Sequence, residues 1–207
     1  MILIGQYDSS FVRRVGIALR LYRFDFEHRP WSVFSDAAAL GAINPLGGVP
    51  VLVLDDGAVL VDSKMMLDHL DSLVSPTARL WPAPAQHLDA RRITALATGL
   101  ADRFISLFYE RRLHDVASPI LTARREGQIR ATLTVLEAER RARPTDWLFG
   151  PDLTHADIAL ACTLRHLRDS APDQFDANNL PALIGHASRA EALPVFQDIS
   201  QAFIAPV

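Results

Sequence analysis

The chain has 207 residues, a formal net charge of −3 and a sequence pI near 6.1, room for one large or two small domains. Hydrophobic residues make up 49% and charged residues 22%, a globular balance that excludes a disordered chain, and the slight negative charge excludes a strongly basic nucleic-acid footprint. No apolar run approaches the roughly 20 residues of a membrane span, and Gln6 and Asp8 break the apolar start too early for a secretory signal. The expectation is a soluble, intracellular-type protein with neither nucleic acid nor membrane as partner.

In chain order, Met1–Gly5 is a short apolar run that predicts a strand. Phe11–Tyr22 carries Val12, Val15, Leu19 and Tyr22 at the spacing of an amphipathic helix. Phe24–Pro30 alternates Phe24 and Phe26 with Asp25 and Glu27, a strand pattern. Asp36–Ile43 predicts one short helix, stopped by Asn44-Pro45. Pro50–Leu54, the turn Asp55-Asp56-Gly57 and Ala58–Val61 form the clearest hairpin of the chain. Asp62 and Ser63 then open a helix with Met66, Leu67, Leu70 and Leu73 inward. The order β-α-β-α-β-β-α defines an α/β layer over residues 1–78.

Pro76, Pro82 and Pro84 interrupt any periodicity, and 79–87 reads as a linker. Beyond it the sequence predicts only helices, an all-α domain over 88–207. Leu88–Arg112 has one apolar stripe, and Ala123–Arg143 turns Ile129, Leu133 and Leu136 inward. Ala156–Leu167 is apolar on most sides, the mark of a buried central helix. Two shorter helices follow from Leu180 and from Pro194. The arginine pairs at 91–92, 111–112, 124–125 and 140–141 are expected on solvated helix faces.

Several chemistries lack their residues. There is no G-x-S-x-G elbow, no phosphate-binding G-x-x-x-x-G-K and no G-x-G-x-x-G. The seven histidines never fall three to five apart, so no helical metal pair is predicted and no metal is expected. Cys162 is the one cysteine. It is expected to be a packing residue, and its isolation excludes dithiol redox chemistry on this chain alone. Lys64 is the one lysine against twenty arginines, a bias of the kind bacterial genome composition produces.

Three local features carry chemistry. Asp8-Ser9-Ser10-Phe11-Val12-Arg13-Arg14 spans the junction of the first strand and first helix. A helix start offers free N–H donors and a positive dipole end for an anion such as a thiolate, and a serine hydroxyl adds a donor; equally, Ser9 or Ser10 is an ordinary cap. Asn44-Pro45-Leu46-Gly47-Gly48-Val49-Pro50-Val51-Leu52 leads into a strand through a proline. A cis bond at Val49–Pro50 would leave Val49 N–H and C=O free for an extended peptide-like ligand, where the alternative is a plain tight loop. Asp62-Ser63 opens the next helix, as a carboxylate and ammonium site or simply as its cap.

N-P-L-G-G-V-P-V-L followed by D-D-G and L-V-D-S resembles the N-terminal domain of cytosolic glutathione S-transferases, of the serine- or cysteine-type and bacterial-like. Thr154-His155-Ala156-Asp157 is similar to the T/S-x-A-D capping box that opens the family's buried central helix. The resemblance covers essentially the whole chain. It implies a thioredoxin-like N-terminal domain followed by an all-helical domain, and glutathione as co-substrate. It implies that Ser9 stabilises the glutathione thiolate, with Tyr7 as competitor for the sulfur. Ser10 and Phe11 also bind glutathione, Phe11 where relatives often set an aromatic against its backbone; Val49 pairs with the cysteinyl backbone, Pro50 is the cis proline, and Asp62 and Ser63 hold the γ-glutamyl end. Three departures stand out. Gly48 occupies a position where many relatives carry Lys or Arg for the glycine carboxylate, with Arg13 or Lys64 as possible substitutes. Ser10 stands where proline is frequent, and Ser9 replaces the cysteine of disulfide-exchanging relatives.

The implied activity is addition of the glutathione thiolate to small hydrophobic electrophiles, in a cytoplasmic, detoxifying homodimer. An electrophile site between the domains would use Phe104, Phe108, Tyr109 and Arg112, although an aromatic stripe is also what a helix core presents. Two other readings share the scaffold: a non-catalytic binding or assembly module, and a glutathione-dependent isomerase.

Overall fold

A computed structural model of the chain describes residues 1–172 and 179–205. Residues 173–178 and 206–207, within the expected helical span of 88–207, lie outside the described residues. The chain divides into two compact units, Met1–Leu80 with Ala192–Val207, and Trp81–Glu191. The first is thioredoxin-like, the second helical.

The first unit runs β1 (Ile2–Ile4), α1 (Ser10–Leu21), β2 (Glu27–Arg29), α2 (Ala37–Ile43), β3 (Val51–Val53), β4 (Val59–Val61) and α3 (Ser63–Ser72). The sheet order is β2-β1-β3-β4; β1 pairs parallel with β2, and β3 pairs antiparallel with both β1 and β4. The parallel pair needs a crossover, which α1 supplies. The hairpin closes as expected, with Leu54 N–H donating to Ala58 O at 2.8 Å and Gly57 at φ 86°.

β2 begins three residues later than the alternation of Phe24–Pro30 predicts, because the end of α1 consumes those residues. Arg23 N–H donates to Arg20 O at 3.0 Å, Phe24 N–H donates to Leu19 O at 3.0 Å, and Arg23 sits at φ 61°. This is a left-handed helix stop usually made by glycine. Arg23→Gly is therefore expected to raise stability by about 0.5–1 kcal/mol, read as a higher denaturation midpoint at unchanged slope.

α1 is enclosed far more than one apolar stripe implies: every residue from Val12 to Leu19 is buried, Arg13 and Arg14 included. Both guanidinium groups have buried partners. Arg13 donates to Ile199 O at 2.8 Å and Phe196 O at 2.7 Å, and Arg14 donates to Ser63 Oγ at 2.7 and 3.0 Å. The Arg13 bonds account for the placement of 192–207 with the sheet unit, where the sequence pattern assigns those residues to the helical domain.

The second unit holds α4 (His87–Leu113), α5 (Pro119–Arg141), α6 (His155–Ser170) and α7 (Pro181–Glu191); α8 (Pro194–Asp198) belongs to the first. α5 starts earlier than Ala123 because Ser118 caps it, accepting from Leu121 N–H at 3.4 Å, with Pro119 as first helical residue. α6 is the buried axis: all residues from His155 to Leu164 are enclosed, Cys162 among them. Leu160, Leu164 and Leu167 pack with Ile93, Leu100, Phe104 and Leu107 of α4, Ile129, Leu133 and Leu136 of α5, and Leu183 of α7. Each such side chain contributes about 1.5–3 kcal/mol on burial.

The capping box that opens α6 is formed. Asp157 accepts from Thr154 N–H at 2.9 Å, Thr154 Oγ1 at 2.5 Å and Leu148 N–H at 2.8 Å. Among the arginine pairs, Arg140 departs from the solvated expectation. Its guanidinium caps the carbonyls of Arg143, Thr145 and Asp146 at 2.6–3.1 Å, and burial lowers its pKa.

Candidate active site

The sheet register gathers the three motifs at one end of the sheet. Ile4 at the close of β1 opposes Val51 at the start of β3, and Val51 opposes Val61 at the close of β4. The chain leaving β1 toward Ser9, the chain entering β3 through Val49-Pro50 and the chain leaving β4 into Asp62-Ser63 thus meet there. Gly5 shows how closely. It sits at φ 127°, and a Cβ there would lie 2.5 Å from Val12 Cγ2 and 2.9 Å from Val49 Cβ. Strand end, helix start and the loop before β3 touch at a point only glycine can occupy.

Ser9 is the N-cap of α1, and its Oγ accepts from Val12 N–H at 3.5 Å. That is a long bond which a better acceptor can displace. The first turn of α1 carries no acidic side chain of its own to occupy the positive end of the helix dipole. Ser10 is buried, its Oγ without a hydrogen-bond partner among the described residues. Phe11 is half-buried.

Tyr7 lies elsewhere. Its ring stacks on His28 with centroids 3.8 Å apart and planes at 8°, and its Cε1 comes within 3.0 Å of where a Gly16 Cβ would stand. Gly16 is six residues into α1, about 9 Å along its axis from the first turn. Burial pushes the Tyr7 phenol up to about 12, which weakens it as a proton donor to a thiolate.

The Val49–Pro50 bond is cis. Val49 is half-buried, and its N–H and C=O have no backbone partner among the described residues. The loop before it is fixed by Asn44, which donates from Nδ2 to Gly48 O at 2.8 Å and accepts from Leu46 N–H at 3.1 Å. At Gly48 a Cβ would meet open space.

Asp62 caps α3, accepting from Lys64 N–H at 2.8 Å, with its backbone at φ 66°. A non-glycine residue held in that region costs of order 1–3 kcal/mol and marks a constrained position. Ser63 is buried, and its Oγ accepts both Arg14 bonds, leaving its own proton for a ligand oxygen. Of the two candidate substitutes for a basic residue at Gly48, Arg13 is committed to the carbonyls of Phe196 and Ile199; Lys64 is exposed on α3.

In the helical unit Phe104 is a core residue, 2% exposed, edge-on to the His166 ring at 5.5 Å. Phe108 and Tyr109 are half-buried and Arg112 is exposed. Sequence reasoning missed Gly5 and the buried roles of Arg13 and Arg14. The available signal was two adjacent arginines inside an otherwise apolar helix, which only buried acceptors can accommodate. Among the described residues no group of three or more His, Cys, Asp and Glu side chains converges to hold a metal.

These features define a thioredoxin-like sheet unit with a helical unit, carrying an anion-receptive helix end beside a cis-proline loop. The fold is shared with known proteins. The description "Glutathione S-transferase, N-terminal domain" matches residues 3–78, and "Glutathione S-transferase, C-terminal domain" matches 119–192. The chain belongs to the glutathione S-transferase family. It is 31% identical over 169 residues to the GST-like protein YibF of Escherichia coli K12, covering 81% of this chain and 82% of that one. A glutathione S-transferase of Methylobacterium radiotolerans, solved in complex with glutathione sulfonate, superposes with a TM-score of 0.88 at 29% identity, covering 100% and 98% of the two chains. A family member from Pseudomonas fluorescens Pf-5 with bound glutathione gives 0.83 at 28% identity, covering 98% and 99%.

Proposed function

We propose that the protein is a glutathione transferase in which Ser9 holds the sulfur of glutathione as thiolate for attack on a small hydrophobic electrophile. The observation that carries the reading is the register, which sets Ser9, Val49-Pro50 and Asp62-Ser63 at one end of the sheet. Ser9 Oγ–H and the free N–H groups of α1 favour the anion, so the thiol gives its proton to solvent at lower pH. Val49 N–H and C=O pair with the cysteinyl backbone of glutathione, Pro50 shapes that edge, Phe11 lies against the glutathione backbone, and Ser10 adds to the same binding site. Asp62 meets the γ-glutamyl ammonium, and the Ser63 hydroxyl, backed by Arg14, donates to its carboxylate. The thiolate electron pair then forms the C–S bond, while the electrophile either releases a leaving group such as halide or shifts a conjugated π pair onto an acceptor that takes a proton from solvent, with charge stabilisation and proximity as the sources of rate. Phe108, Tyr109 and Arg112 are offered as the electrophile face, backed by Phe104.

On this reading the protein works in the cytoplasm, where glutathione is kept reduced, clearing electrophiles. It works as a homodimer, for which the exposed Leu46, Met65 and Leu73 of the sheet unit supply apolar surface. Sedimentation tests the dimer. Calorimetric titration with reduced glutathione tests the site: saturable binding at micromolar to low-millimolar strength is expected. Absence of heat and of thermal stabilisation at several millimolar overturns the reading in favour of an assembly module. Turnover of a cis-olefinic acid without adduct release would instead identify the isomerase.

Gly48 gives a gain-of-function test. Its Cβ direction is open, so Gly48→Lys is expected to lower the Kd for glutathione about two- to fivefold through one partly exposed ion pair with the glycine carboxylate. The gain should shrink in high salt.

A further inference from the structure

We propose that the C-terminal segment 199–204 is a positioning strap for the loop that presents Ser9, with Gln201 as its positioning residue. The inference rests on the role assigned to Ser9 above.

The loop Gln6–Ser9 has little internal support: the one backbone bond within it runs from Ser9 N–H to Gln6 O at 3.1 Å. The start of α1 holds Ser9, the His28 ring backs Tyr7, and the tail supplies two further ties. Tyr7 N–H donates to Gln201 Oε1 at 3.2 Å, and Ile204 N–H donates to Asp8 Oδ2 at 3.0 Å. The two residues immediately before Ser9 are therefore tied to a segment some 190 positions away.

The strap is itself anchored. Phe196 and Ile199 are buried at 0% and 2% exposure, and buried Arg13 of α1 binds both carbonyls while lying 5.4 Å over the Phe196 ring. Gly16 marks where the three elements close on one another. A Cβ there would stand 2.9 Å from Ile199 Cγ2 and 3.0 Å from Tyr7 Cε1, so tail, helix and loop leave no room for a side chain.

The anchor at Arg13 and the ties at Tyr7 and Asp8 make a bracket around the residue that faces the sulfur. A hydroxyl that stabilises a developing charge must be held within a fraction of an ångström, and a misplacement of about 1 Å can cost about 100-fold in rate. The Ile204 N–H also absorbs part of the negative charge of Asp8, the carboxylate nearest to Ser9 in sequence. The other charged or titratable groups around the loop include Tyr7 itself, Arg13, Arg14 and Arg20 of α1, His28 of β2, and Asp62 and Lys64 at the start of α3. Gln201 is neutral, so its replacement adds and removes no charge; any change in thiol ionisation reports geometry.

The test compares wild type with Gln201→Met, which keeps length but removes the acceptor, and with Ile204→Pro, which removes the donor to Asp8. Both are followed by the ultraviolet absorbance of bound thiolate against pH and by kcat and KM for glutathione. Expected are a roughly three- to tenfold lower kcat at neutral pH, a thiolate titration moved upward by about half to one pH unit, recovery of rate at alkaline pH, and KM within about twofold. Titrations that superimpose on wild type overturn the strap, as does a loss that is uniform across pH. A wild-type complex without thiolate, or a Ser9→Ala titration that superimposes on wild type, overturns the Ser9 reading and takes the strap with it.

Discussion

Replacing Ser9 by alanine is expected to lower kcat for glutathione conjugation by about 10- to 100-fold at neutral pH, with KM for glutathione within about twofold. The magnitude is that of one hydrogen bond to a charged group, about 1.5–3 kcal/mol, realised at the sulfur. A stabilised thiolate has a lowered pKa, so rate rises with pH through that pKa and then levels off. Without Ser9 the rising limb moves to higher pH, and the deficit narrows in alkaline buffer. The fold tolerates the change because the capping bond lost is the long one from Val12 N–H at 3.5 Å, at the low end of the roughly 0.5–2 kcal/mol range for caps. An aryl halide assay across pH checks this. Unchanged activity in Ser9→Ala together with loss in Tyr7→Phe would move the sulfur role to Tyr7, despite its place against His28 and Gly16.

Asp157→Ala is expected to be the more damaging change to the fold. The Asp157 side chain is fully enclosed and accepts from Leu148 N–H, Thr154 N–H and Thr154 Oγ1. Truncation strands these donors where water cannot reach them, at about 1–3 kcal/mol for each group left unsatisfied. A loss of about 3–5 kcal/mol follows, a drop in Tm of roughly 10 °C for a chain of this size. Asp157→Asn retains one acceptor oxygen and should fall between the two. Thermal melts of the three proteins decide it, and a variant that melts with wild type would show that other groups satisfy the donors.

Much of this architecture is legible in the residues because it is local. The hairpin turn Asp55-Asp56-Gly57, the helix stop at Asn44-Pro45, the cap Asp62-Ser63 and the box Thr154–Asp157 each work within a few positions, and each appears in the structure. The candidate site is legible as three separate motifs. Their convergence required the register of Ile4, Val51 and Val61, which no single motif contains.

What escaped depends on partners distant in sequence or on unusual backbone. Arg13, a candidate in the sequence for the glycine carboxylate, turns out to bind the carbonyls of Phe196 and Ile199, and Arg14 the hydroxyl of Ser63, partners far away in the chain. Arg23 hides a helix stop because its left-handed backbone is rarely chosen by arginine. The stripe Phe104–Arg112 divides between core and surface in a way periodicity alone does not resolve.

The discontinuity of the sheet unit bears on how the protein is made. A growing chain usually completes its first domain first, and residues 1–80 leave the ribosome well ahead of everything else. Yet the Phe196 and Ile199 carbonyls that accept from buried Arg13 are synthesised only after the whole helical unit. Until they emerge, Arg13 lacks those two bonds, and the contacts of α1 with α8 and Ile199 are unmade. The contiguous helical unit, residues 81–191, has no such wait. The nascent protein is thus expected to mature out of order, the second unit consolidating before the first, whose closure waits for residues 192–204.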